Sequence, residues 1–263
     1  MANHTIRSLK KGKAEHKKFA TVTSYDATFA RLSDEAGIEC ILVGDSLGNV
    51  IQGKDSTVPV TMDDMLYHTE NVARGVTSSL LMSDMPYMSY STPEQAITNA
   101  AELMQSGAQI VKLEGAEWLV DTISFLSERG VPVCGHLGLL PQSVNKTSGY
   151  RVQGKQQDSA AEILANARSY EEAGADVLLL ECVPAMLAKQ ITEAAKVPVI
   201  GIGAGVYTDA QVLVIYDLLG LSKKVPSFVK NYMEVSDNVS DALNLFAREV
   251  REGIFPNDDY TIA

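Results

Sequence analysis

Asp176-Val-Leu-Leu-Leu-Glu-Cys182 holds four consecutive aliphatic residues closed by an acid. The run has the length of a strand and is apolar on both alternating faces, the habit of a strand buried on both sides in a parallel sheet. Seven further runs share this texture: Phe19-Ala-Thr-Val-Thr-Ser-Tyr25, Cys40-Ile-Leu-Val-Gly-Asp-Ser46, Leu80-Leu-Met-Ser-Asp84, Gln109-Ile-Val-Lys-Leu-Glu114, Val131-Pro-Val-Cys-Gly-His136, Val197-Pro-Val-Ile-Gly-Ile-Gly203 and Gln211-Val-Leu-Val-Ile-Tyr-Asp217. Between them lie Ala/Glu-rich stretches with helix signals. Thr92-Pro93-Glu94 offers a cap followed by proline in a first turn, and Asp158 or Ser159 precedes Ala160-Ala-Glu-Ile-Leu. Gly37, Gly107 and Gly174 stand where such stretches end. Eight strands alternating with helices predict a single-domain (β/α)8 TIM barrel, a fold of about 250 residues. A doubly wound open sheet competes. It is weakened because eight units fill all 263 residues and the first βα turn carries no Gly-x-Gly-x-x-Gly. Residues 1–18 read as a polar N-terminal segment, and residues 223–263 as a C-terminal helical extension packing beyond the barrel.

Composition narrows the function. Lys plus Arg total 22 and Asp plus Glu 33, a net charge of −11. That surface cannot displace counterions from phosphates as a general nucleic-acid binder must. No apolar run approaches the ~20 residues that span a bilayer, and the lysine-rich start has no apolar core of a secretory signal. Cys40, Cys134 and Cys182 are odd in number, widely spaced and set in apolar stretches, which suits reduced, buried thiols in a cytoplasmic protein.

The polar residues at the strand ends carry the chemistry. In a barrel the C-terminal strand tips converge on one mouth. Those tips are Asp45 and Ser46, Asp84, Lys112 and Glu114, His136, and Glu181. Any one acid or serine among them is explained by helix capping, Lys112 with Glu114 by a buried ion pair, and His136 by a structural hydrogen bond. Four carboxylates facing a common axis repel unless a cation or a proton intervenes, and oxygen ligands without a Cys/His cluster favour Mg²⁺ over zinc. Lys112 and Glu114 lie two apart and point the same way, and by the same alternation Asp45 shares a face with Val43. His136 is the one histidine at a strand tip. His4 and His16 lie in the polar tail, and His68 on a helix where exposure is the default. The segments 48–61 and 138–157 exceed the usual connection of about 2–6 residues, as lid loops do. Gly201-Ile-Gly-Ala-Gly205 suits either close backbone approach to a phosphate or tight packing.

Several of these stretches belong to an ordered set of motifs. Leu42-Val-Gly-Asp-Ser-Leu-Gly48, Asp55-Ser-Thr-Val-Pro-Val-Thr61, Val111-Lys-Leu-Glu-Gly115, Val133-Cys-Gly-His-Leu-Gly-Leu139, Pro141-Gln-Ser143, Gly149-Tyr-Arg-Val-Gln-Gly154, Leu180-Glu-Cys-Val-Pro184 and Pro198-Val-Ile-Gly-Ile-Gly-Ala-Gly205 together resemble the ketopantoate hydroxymethyltransferase family. The likeness runs from about Phe19 to Phe228, in the family's order and spacing. It implies a (β/α)8 barrel that transfers a hydroxymethyl group from 5,10-methylenetetrahydrofolate to 3-methyl-2-oxobutanoate, through an enolate stabilised by Mg²⁺, in pantothenate biosynthesis. It also implies a cytoplasmic homo-oligomer, often a homodecamer. By the same resemblance Asp45, Asp84 and Glu114 are metal-site residues, and Asp45, Ser46, Asp84, Lys112 and His136 contact substrate. Glu181 matches the catalytic proton acceptor. The chain departs from the family's usual pattern at Asn49, at Tyr216, and at Val206-Tyr207, none of them a metal or base position.

Two other functions compete. A Mg²⁺-dependent lyase of the phosphoenolpyruvate mutase and isocitrate lyase kind places a reactive cysteine on a mobile loop, and no cysteine here has a loop-like context. A non-catalytic oxo-acid sensor needs no base, whereas Glu181 stands ready as one.

Overall fold

The aliphatic runs form eight strands in a computed structural model that describes residues 4–147, 149 and 151–262. They are β1 (Phe19–Thr23), β2 (Cys40–Val43), β3 (Leu80–Asp84), β4 (Ile110–Glu114), β5 (Val133–Gly138), β6 (Val177–Glu181), β7 (Val199–Ile202) and β8 (Ala210–Leu213). Each pairs in parallel with its successor, and β8 pairs with β1, so the sheet is a closed barrel. The open-sheet alternative is thereby excluded. Tyr150 of the Gly149–Gly154 motif lies outside the described residues.

Alternation divides the strands between two cores. Phe19, Cys40, Leu42, Leu80, Met82, Ile110, Cys134, Val177, Leu179, Ile200 and Val212 pack together inside the barrel. Their neighbours Ala20, Val22, Ile41, Val43, Leu81, Val111, Val133, Leu178 and Leu180 face the outer helices. Thr92 caps the helix Pro93–Gln105 by accepting from the Gln95 N–H, as its sequence predicts.

Four features differ from the sequence reading. The polar N-terminal segment contains the helix Ile6–Ala14, whose Leu9 joins the inner core. Ion pairs of 2.7 Å from Lys10 to Asp176 and from Lys13 to Asp209 fasten this helix beside the starts of β6 and β8. The C-terminal stretch does not lie beyond the barrel: the helix Val239–Arg251 packs on β1, β8 and the helix Ala27–Glu35, completing the outer ring. It buries Ala242, Leu243, Phe246, Ala247 and Val250 along one face. Finally, no helix separates β7 from β8. Gly203 and Gly205 take positive φ (58° and 75°), and the Gln211 side-chain amide donates to Gly205 O and Thr208 Oγ1 beneath the turn. β8 also ends early, because Ile215–Leu218 is helical and removes Tyr216 and Asp217 from the strand.

Candidate active site

Strand alternation delivers five of the polar tips to the mouth. Leu80, Met82 and Asp84 share the inward face of β3, and Ile110, Lys112 and Glu114 that of β4. His136 follows Cys134 inside β5, and Glu181 follows Val177 and Leu179 at the end of β6. Register then sets neighbours: Asp84 lies opposite Lys112 and Glu114 opposite His136. Asp45 arrives by a different route. Val43 faces outward, so continued alternation does not account for Asp45, which lies in the turn after β2. Gly44 makes that turn possible, since a Cβ there would lie 2.7 Å from Ser46 Oγ and 3.6 Å from Asp84 Oδ2.

These side chains form one connected buried cluster. The Asp45 backbone N–H donates to Asp84 Oδ2 at 3.0 Å. Lys112 Nζ lies 3.1 Å from Asp84 Oδ1 and 3.2 Å from His136 Nδ1. That nitrogen is also 3.3 Å from Glu114 Oε2, while His136 Nε2 is 3.3 Å from Glu181 Oε2. When Nδ1 accepts from Lys112, Nε2 carries the hydrogen, close to Glu181 but not aligned on it as a hydrogen bond. Glu181 is the more open member, its side chain 17% exposed against 2% for His136. Ser46 Oγ sits 2.8 Å from the Tyr25 hydroxyl. Every residue named from the strand tips is therefore at the same end of the barrel.

The electrostatics follow from burial. Burial, then the Asp84 and Glu114 carboxylates, push the Asp45 carboxyl up to about 8 against the opposing pull of Lys112 and Gln142. Burial also raises Asp84, although Lys112 and the Asp45 N–H favour its charged form. Burial disfavours the Lys112 cation, but Asp84, Glu114 and Asp45 outweigh it and hold the ammonium protonated. Burial and Lys112 lower the His136 pKa, and the Glu114 and Glu181 carboxylates raise it further than they lower it.

Gln142 and Tyr90 complete the cluster without having been read as site residues. The Gln142 side chain donates to Asp45 Oδ2 at 2.9 Å and to Met85 O at 3.0 Å, and its backbone N–H donates to Glu114 Oε1 at 2.7 Å. The Tyr90 hydroxyl lies 2.6 Å from Gln142 Oε1 and 3.0 Å from Glu114 O, and Met85 O, which can only accept, fixes the amide nitrogen on the side of Asp45. Gln142 lies in the short 3-10 turn Pro141–Ser143, within the long segment after β5. Its motif, Pro141-Gln-Ser143, was the available signal.

A divalent cation fits the chemistry of this donor set. Three buried carboxylates, Asp45, Asp84 and Glu114, face one lysine. Asp84 Oδ1 and Glu114 Oε2 are buried without an aligned hydrogen bond, despite the nearby Lys112 and His136 nitrogens. Buried charge of one sign in excess calls for a counter-ion or protons. Among the described residues no three His, Cys, Asp or Glu side chains form a ready-made cage. A cation that keeps several waters and takes one or two carboxylates, as Mg²⁺ does, needs none.

Other sequence signals lie elsewhere. Cβ atoms on Gly203 and Gly205 would come within 2.9 Å of the Ile262 and 2.5 Å of the Ala185 side chains, so close packing accounts for these glycines. His68 is half-buried, its Nδ1 2.7 Å from Tyr25 O. Cys40 and Cys134 are strand residues, but Cys182 occupies the turn after β6 at φ 48°, contrary to the reading that no cysteine has a loop context. It is buried, and burial first and Glu181 second push its thiol up to about 12, which leaves it protonated and unreactive.

Known proteins resemble both the fold and the sequence. A phosphoenolpyruvate phosphomutase of Streptomyces platensis subsp. rosaceus superposes with a TM-score of 0.63 at 14% identity, over 82% of this chain and 83% of its own. A 2,3-dimethylmalate lyase of the PEP mutase/isocitrate lyase superfamily gives 0.59 at 19% identity, over 84% of each chain. At that identity the likeness concerns the barrel alone. The 3-methyl-2-oxobutanoate hydroxymethyltransferase of Edwardsiella ictaluri is 55% identical over 262 residues, 99% of each chain. That of Pectobacterium atrosepticum is 53% identical over 98% of each. Residues 3–258 match ketopantoate hydroxymethyltransferase as a family. With nearly its whole length covered, the chain belongs to the ketopantoate hydroxymethyltransferase family.

Proposed function

We propose that this protein hydroxymethylates 3-methyl-2-oxobutanoate with 5,10-methylenetetrahydrofolate, giving 2-dehydropantoate, and that Mg²⁺ serves at the Asp45–Asp84 pair. The observation that carries this reading is the buried cluster in which Asp45 N–H meets Asp84 Oδ2 and Lys112 and His136 link Asp84 to Glu181. Asp45 and Asp84 would hold the cation directly, and Glu114, turned to the Gln142 N–H, would reach it through water. When bound, the cation supplies positive charge that draws electron density from the keto oxygen and acidifies the C3 hydrogen.

The chain's own residues do the rest. The Lys112 ammonium, kept charged by its acidic neighbours, and the Ser46 hydroxyl hold the substrate carboxylate. Glu181, the most open carboxylate of the cluster, accepts the C3 proton. His136 positions it through the 3.3 Å contact of Nε2. The C3 carbon attacks the methylene carbon as one of its C–N bonds opens, and water replaces the second C–N bond to leave the hydroxyl, releasing tetrahydrofolate, whose two nitrogens take up the proton lost from C3 and one proton of the water. Two substrates held in one mouth react with an entropic advantage over free encounter. Closure of the long segments after β2 and β5 over the two substrates would limit water there.

Supporting a cytoplasmic setting are three free, buried cysteines and, among the described residues, no helix long and apolar enough to cross a membrane. The resemblance supports a homo-oligomer, a homodecamer by family habit. Deuterium exchange tests the base. Glu181→Gln should bind 3-methyl-2-oxobutanoate with Mg²⁺ yet exchange its C3 hydrogen at least about 100-fold more slowly, the usual worth of a positioned base. Exchange near the unsubstituted rate would remove Glu181 from that role.

A further inference from the structure

A cavity of about 280 Å³ opens beside the acid cluster, and Glu114 and Gln142 line it. Tyr87, Met88, Tyr90 and Trp118 give it an apolar, aromatic wall. Trp118 is the chain's one tryptophan and is 56% exposed. Its ring lies 5° from parallel with that of Tyr90, their centroids 6.1 Å apart. The Tyr90 hydroxyl is committed to Gln142 Oε1 and Glu114 O, so its ring is what remains to the cavity. Met88 is 57% exposed and holds φ at 61°. Burial does not compensate that strain, and strain of this kind collects at ligand clamps. Lys146 adds a cation to the lining.

We propose that this cavity seats the one-carbon donor, with the reduced pterin and aminobenzoyl rings packed on Trp118 and the glutamate carboxylates meeting Lys146. The assignment rests on the folate reading above and deepens it by locating the second substrate. A ligand with a flat pyrimidinone ring, a flat aminobenzoyl ring and an anionic tail matches an aromatic wall beside a lysine. A pocket sharing Glu114 and Gln142 with the acid cluster brings the donor alongside the oxo acid. Tyr87, Met88 and Trp118 are exposed, and a ligand seated there would cover them.

Because Trp118 is unique, its fluorescence reports on the site directly. Titration with tetrahydrofolate, corrected for absorbance by the ligand, should quench it saturably. Trp118→Ala should raise the KM for 5,10-methylenetetrahydrofolate about tenfold, the effect of losing one aromatic stack. The KM for 3-methyl-2-oxobutanoate should move less than about twofold, since uniform loss of fold would shift both. Trp118→Phe should recover most of the affinity, which also controls for folding. Lys146→Ala should weaken tetrahydrofolate but not a reduced pterin lacking the glutamate tail. Unquenched Trp118, or the two KM values rising together in Trp118→Ala, would overturn the assignment. Absence of any folate-dependent product from the unsubstituted protein would instead sink the proposed function itself.

Discussion

Asp45 stands in the turn after β2, buried and within reach of two other acids, and its carboxyl is pushed up to about 8 as a result. An unfolded Asp titrates near 3.9, so between about pH 4 and pH 8 the folded chain binds the extra proton. Stability of the metal-free protein then falls as pH rises through that window, the reverse of a salt-bridged carboxylate. Asp45→Asn should flatten that slope in EDTA and raise Tm near pH 8 by several degrees, at roughly 2–4 °C per kcal/mol. Thermal melts across pH check it, and an unchanged slope would count against the raised carboxyl. Gln142 tests the other side of the same residue. Gln142→Leu leaves Asp45 Oδ2 without its partner and removes one of the two acceptors beside the Tyr90 hydroxyl, at a cost of about 1–3 kcal/mol. Calorimetry should also record weaker Mg²⁺ binding, because Asp45 loses the contact that orients it.

At the scale of elements, the two ends of the barrel do different work. The helix Ile6–Ala14 is short and polar except for Leu9, which enters the inner core far from the acids. Leu9→Ala should destabilise by about 2–5 kcal/mol, as buried leucine truncations do. The exchange rate per folded molecule should stay near normal, since none of the mouth residues touches this helix's ion pairs to Asp176 and Asp209. Denaturant unfolding and deuterium exchange separate the two effects. The helix Val239–Arg251 is fixed by Phe246, whose ring meets Tyr232 and Phe255 at 5.5 and 5.9 Å. Phe246→Ala should cost about 3–5 kcal/mol. A loss below about 1 kcal/mol would contradict its place in the outer ring.

For the whole molecule, an ion that binds only the assembled mouth stabilises the fold by mass action. At 100 times its Kd, Mg²⁺ should add about 2.7 kcal/mol, visible as a rise in Tm that EDTA reverses. Asp84→Ala should abolish that rise while the protein stays folded. A magnesium shift that survives the substitution would place the ion elsewhere. With a net charge of −11, part of any shift could be general screening, so an equal ionic strength of NaCl is the control.

Local pattern alone determined most of the architecture. Period-two burial made Leu80, Met82 and Asp84, or Ile110, Lys112 and Glu114, share a face, so the strands and the inward direction of their last acids were legible residue by residue. Three things were not, and each depends on contacts distant in the chain. Asp45 enters the mouth through the Gly44 turn, against the alternation of β2, because Asp84 on the next strand receives its N–H. Gln142 became a site residue only when the segment after β5 folded back between Asp45 and Glu114. The helix Val239–Arg251 has an apolar stripe that the sequence displays. Only closure of the barrel, which sets β8 beside β1, created the groove that stripe fills.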